Sequence, residues 1–90
     1  MHRFFVQVQG RVQGVGFRYF CRELAVKFQI TGWVKNEPDG SVVLEAQAEE
    51  NILDLYFEKV QKGPNFSKVT SFEKKELSLI ENDTPFEIRH

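Results

Sequence analysis

Cysteine is almost missing from this chain. Cys21 stands alone, so no internal disulfide can brace the fold, and a reducing compartment suits it. Long apolar runs are missing too. Nothing approaches the about 18 residues of a membrane span, and the N-terminus has no apolar stretch of a secretory signal. These absences argue against a membrane protein and make a cytoplasmic location the expectation. Histidine occurs only at His2 and His90, beside the two termini. That leaves no strong general base near any motif. No set of His, Cys and carboxylate residues has metal-ligand spacing either, so neither metal nor cofactor is expected. Acid is absent from the first 22 residues, which carry Arg3, Arg11, Arg18 and Arg22; all 13 Asp and Glu lie beyond them, against eight Lys and Arg. The chain is −1 as a whole, but its first quarter is +4. A pI near 6.1 argues against general nucleic-acid binding and leaves a local anion site open.

What is present suffices for one domain, 1–90. With 41% hydrophobic residues and nine phenylalanines, the chain can fill a core without staples. Phe4, Val6 and Val8 alternate with Phe5, Gln7 and Gln9, the period of a strand with one buried face. Phe17, Phe20, Cys21, Leu24 and Phe28 recur at helical spacing and predict a first helix. Cys21 on that stripe reads as a small buried hydrophobe rather than a nucleophile. Residues 30–48 read as a hairpin around Glu37-Pro38-Asp39-Gly40, with Trp33 expected in the core. Leu53, Tyr56, Phe57 and Val60 mark a second helix, stopped by Gly63-Pro64. Residues 68–77 read as a fourth strand, and Phe86 and Ile88 as a short last one.

The order β-α-β-β-α-β plus a terminal strand predicts an α+β, ferredoxin-like (split βαβ) plan. It has an antiparallel sheet, two helices on one face and a short extra C-terminal strand. In that plan the first two strands run parallel with the third between them, so their C-terminal ends share one sheet edge. Arg18, after the first strand, and Asn36, at the end of the second, should converge there.

Between strand and helix lies Gly10-Arg11-Val12-Gln13-Gly14-Val15-Gly16-Phe17-Arg18. Glycine takes positive φ and permits close approach, so such a loop can turn several N–H groups inward. The helix start adds unpaired N–H groups and the positive dipole end. Arg18 adds a planar fork matched to carboxylate or phosphate. Residues Gln13, Gly14, Val15, Gly16, Phe17 and Arg18 thus form a candidate cradle for a phosphate-like anion. The loop lacks the Gly-Lys-Ser/Thr of a Walker A motif and the glycine spacing of a dinucleotide fingerprint. From physics alone it reads equally as a tight turn bearing a surface arginine.

The nine residues 10–18 and Gly32-Trp33-Val34-Lys35-Asn36 closely resemble the two signature blocks of the acylphosphatase family. The Pro38-Asp39-Gly40 turn and the Phe86-Glu87-Ile88-Arg89 ending are similar to that family as well, while 49–85 match only in general pattern. The resemblance implies a small, metal-independent hydrolase that splits the carboxyl–phosphate bond of acyl phosphates and releases inorganic phosphate. It implies that Arg18 binds the phosphoryl group and that Asn36 positions the attacking water. Chemistry is compatible with both roles. Arg18 has no proton to give at neutral pH, and Asn36 is a poor base but a rigid orienting group. The expected partners are small molecules alone, for a monomer binding neither nucleic acid nor membrane. Acylphosphatase-like domains also occur inside larger carbamoyltransferases, so a non-catalytic anion-binding module is the alternative. An RNA-recognition reading of the same plan fails on the third strand, Ser41-Val42-Val43-Leu44-Glu45-Ala46-Gln47, which lacks the aromatics that stack bases.

Overall fold

The computed structural model describes residues 1–90. Its elements are β1 (His2–Arg11), α1 (Phe17–Lys27), β2 (Thr31–Asn36), β3 (Val42–Ala48), α2 (Glu50–Lys62), β4 (Lys68–Leu77) and β5 (Glu87–Arg89). They form one sheet in the order β4-β1-β3-β2-β5. β3 pairs antiparallel with β1 and with β2, so β1 and β2 run parallel on either side of it. The register puts Phe4, Ala46 and Gly32 in one row, Val6, Leu44 and Val34 in the next, and Val8, Val42 and Asn36 in the last. Side chains two apart share a face, so these rows define the face toward the helices. Both helices cover it: α1 contributes Phe17, Cys21 and Ala25, and α2 contributes Leu53, Tyr56, Phe57 and Val60. Burying one such side chain stabilises by about 1.5–3 kcal/mol, which makes this face the chief support of the fold.

The sheet departs from an all-antiparallel arrangement at one edge, where β5 pairs parallel with β2. The cause is the path of the chain. β4 pairs antiparallel with β1 and so ends where β1 begins. The segment 78–86 must then reach the opposite edge, and it crosses the face away from the helices. Gln47 holds it there, donating to the Ile80 carbonyl at 3.0 Å and accepting from the Ile80 N–H at 2.9 Å. Having crossed, the chain can only run back in the direction of β2.

The crossing also buries a charge. Arg3, on the face opposite Phe4, is 1% exposed. Its Nε donates to Glu45 at 2.8 Å, and its Nη1 donates to Asp83 at 2.6 Å and to Gln47 at 3.2 Å. Burial alone would lower its pKa, but the bonds to Asp83 and Glu45 outweigh this and raise it. Trp33 is not in the core. Gly32 and Val34 take the buried face, and alternation turns the indole to the other side, half-buried under the Arg89 guanidinium at 4.9 Å from the ring centroid.

The Pro38-Asp39-Gly40 turn closes as its residues require. The Asp39 carboxylate accepts from the Ser41 N–H at 2.9 Å and its hydroxyl at 2.6 Å, which holds its pKa below the ordinary carboxylate value.

Two glycines with positive φ separate backbone strain from crowding. At Gly32 (φ 143°) an added Cβ would lie 1.9 Å from the Glu45 carbonyl oxygen, whereas at Gly40 (φ 94°) it would meet nothing within 4 Å. Gly40→Ala should cost about 1–2 kcal/mol, the strain of the conformation alone, and Gly32→Ala should cost clearly more because the β2–β3 pairing must open. Urea denaturation of the two variants checks this; equal losses would mean that the close approach is not limiting.

Candidate active site

The end of β1 and the start of α1 are fixed by buried anchors on both sides of the glycines. Val12 and Phe17 are each 1% exposed. The Gln13 side chain donates to the Glu37 and Ser41 carbonyls at 2.8 and 2.9 Å, tying the loop to the β2–β3 turn. Gly14 (φ 73°) and Gly16 (φ 76°) take left-handed backbone between these anchors, with open space where a Cβ would be. α1 begins at Gly16 with no side-chain cap and no acid in its first turn. The first helical bond runs from the Phe20 N–H to the Gly16 carbonyl at 3.0 Å. No backbone carbonyl or side chain accepts from the N–H groups of residues 13–19. Such a run of free donors at a helix start is suited to an anion.

Arg18 stands in that first turn. No carboxylate lies within ion-pair distance of it; its Nη1 donates to the Arg89 carbonyl at 3.2 Å and lies 3.3 Å from His90 Nδ1. Asn36 ends β2 on the helix-side face, and its amide makes no hydrogen bond within the protein. Both residues line one cleft of about 610 Å³, with Gly14, Gly16 and Phe17. Convergence of the β1 loop and the β2 end is therefore as the topology requires. Gln13 and Val15 do not line the cleft. The Gln13 side chain is committed to the turn and Val15 packs on the core, so only their main-chain N–H groups remain for a ligand.

Sequence reasoning did not place Tyr19, Arg22, Phe86, Glu87, Ile88 and His90 at this cleft. Arg22 was within reach of helical periodicity, one turn beyond Arg18. The approach of His90 had no local signal, because it follows from the crossing of 78–86. The first-quarter charge of +4 is also divided: Arg3 is neutralised on the far side of the sheet, while Arg18 and Arg22 face the cleft. No group of three His, Cys, Asp or Glu converges to hold a metal ion.

Fold and cleft together define a class: a ferredoxin-like α+β protein whose strand-to-helix loop offers free N–H groups and an arginine to an anion. The acylphosphatase family model matches residues 4–88. An acylphosphatase of Oceanobacillus iheyensis is 48% identical over 86 residues, 94% of either chain. The crystal structure of acylphosphatase from Bacillus subtilis superposes with a TM-score of 0.95 at 43% identity, covering 100% of both chains. An acylphosphatase from Coxiella burnetii gives 0.90 at 35% identity, over 98% of this chain and 92% of that one. The chain belongs to the acylphosphatase family.

Cys21 lies on the same helix but does not line the cleft; its side chain is fully buried. Burial pushes the thiol far above its ordinary pKa, a contact with Tyr56 opposing this only in part. The neutral thiol is a poor nucleophile. Iodoacetamide should label the native protein slower than the urea-unfolded chain by roughly a thousandfold or more, since a fold stable by about 5 kcal/mol opens that rarely. Labelling at comparable rates would mean that α1 opens locally.

Proposed function

We propose that the chain hydrolyses acyl phosphates at this cleft, with the phosphoryl group on loop 13–18 and Arg18 and the attacking water on Asn36. One observation carries the assignment: the free N–H groups, a cation without a carboxylate partner and an amide without a protein partner face one cleft. The N–H groups of 13–19 and the Arg18 fork bind the phosphoryl oxygens and neutralise their charge. Asn36 accepts from the water and aims its oxygen at phosphorus. The new P–O bond forms as the bond to the acyl oxygen breaks, and the carboxylate leaves with that electron pair. A weakly basic leaving group needs no general acid, and the water's proton passes to a phosphoryl oxygen. Positioning and charge stabilisation then supply most of the catalysis. One domain over 1–90, acting as a cytoplasmic monomer on small molecules alone, accords with the lone buried thiol and the acidic balance outside the loop.

Hydrolysis of acetyl phosphate in the presence of a chelator is the direct test. Arg18→Ala should lower kcat/KM by about a hundredfold, the cost of one donor aimed at transition-state charge, with Arg18→Lys restoring little because the planar fork is lost. Asn36→Ala should lower kcat by a similar factor while the inhibition constant of inorganic phosphate holds. Normal turnover in either variant removes that residue from its role. Phosphate at a hundredfold excess over its Kd should stabilise the wild-type protein by about 2.7 kcal/mol, read as a raised Tm, and should do so far less in Arg18→Ala. Equal protection of both would place the anion elsewhere.

A further inference from the structure

The cleft extends past the loop along α1, and its second cation is not used by the reaction. Arg22 follows Arg18 by one helical turn and lines the same cleft. Residues four apart on a helix lie about 5–6 Å apart at Cβ, so two guanidiniums share one wall, an arrangement that like-charge repulsion disfavours. Within the protein Arg22 is weakly satisfied. Its Nη2 donates to Glu23 at 3.1 Å, an exposed pair between adjacent residues, which do not face each other on a helix. Its Nε is shielded from solvent with no acceptor, a costly state for a donor. The Tyr19 ring lies beneath the guanidinium, 5.1 Å from centroid to Cζ, and stiffens it. Glu87, the cleft's acid, is drawn off by Arg89, whose Nε donates to it at 3.0 Å.

Resting on the hydrolase reading above, we propose that Arg22, steadied by Tyr19, binds the acyl part of the substrate and selects acyl phosphates bearing a second anionic group. With the phosphoryl group on Arg18 and the loop, the leaving carboxylate's chain runs along α1. A chain of about three to five carbons brings a terminal carboxylate to the next turn of the helix. The second anion relieves the repulsion between the two arginines and gives Arg22 a bidentate acceptor. An uncharged chain of the same length gains only contact with Tyr19 and Phe86.

The test compares glutaryl phosphate with pentanoyl phosphate, equal in chain length and differing in the terminal carboxylate, each corrected for uncatalysed hydrolysis. The wild-type protein should favour glutaryl phosphate in kcat/KM by about tenfold, mainly through KM, as expected for one charge-assisted bond at a half-exposed site. The preference should shrink as salt is added. Arg22→Gln should bring the ratio near one and Arg22→Lys should recover part of it, with circular dichroism of both variants unchanged. A general loss of structure would lower both rates together and leave the ratio standing. An unchanged ratio in Arg22→Gln, or a wild-type preference for pentanoyl phosphate, overturns the assignment and leaves the hydrolase reading intact. Failure of the wild-type protein to hydrolyse either compound overturns both.

Discussion

β3 hydrogen-bonds antiparallel to β1 on one side and to β2 on the other, and the position of the cleft follows from this double pairing. Two strands that share an antiparallel neighbour must run parallel, so the loop leaving β1 and the last residue of β2 emerge at the same edge. Gly32 permits the pairing on one side, where any side chain would strike the β3 backbone. Val34 and Asn36 then differ only in position along the strand. The first is covered by α1 and fills the core, and the second, one row further, passes the end of the cover and faces the cleft. One alternation thus supplies both a core residue and a polar group for the site.

The opposite face of the sheet holds the other determining contact. A buried guanidinium with two carboxylates is weak evidence for stability, because desolvation offsets most of the attraction. Its geometry nevertheless fixes a path. Asp83 and Ile80 are bonded to Arg3 and Gln47, which stand on the central strands, so the chain between β4 and β5 is held over the sheet. That path delivers β5 parallel to β2 and brings Arg89 and His90 against Arg18. The two faces are therefore linked: a polar cluster remote from the cleft determines what stands at its rim.

Local periodicity made most elements legible. β3 falls where alternation and turn residues put it, β4 covers the expected 68–77 although its patterning is weak, and both helices end at a turn signal or within a residue of the last apolar position. The meeting of Arg18 and Asn36 was legible as well, because it depends on strand order and not on detail. Trp33 was misjudged by its bulk, although the two-residue period of Gly32 and Val34 assigns it to the other face. The burial of Arg3 was not legible, since its partner Asp83 lies 80 positions along and local sequence says nothing of that distance. Within the loop, residue type singled out Gly14, Gly16 and Arg18, and all three line the cleft. Only side-chain contacts distinguish Gln13, which braces the turn, from Gly14 and Gly16, which line the cleft.

The sheet has unequal margins. β5 offers three residues at one edge, but β4 offers ten at the other, with its outer N–H and C=O groups facing solvent. A margin of that length is a template on which another chain's strand can add. Lys68, Glu73, Lys74, Lys75 and Glu76 crowd it with charge, so a second copy docking edge to edge must desolvate several ionic groups for each backbone bond gained. Resistance to edge-to-edge pairing therefore rests on these charged side chains, of which Lys74 also lies over the Phe4 and Phe57 rings, 4.9 and 5.5 Å from their centroids.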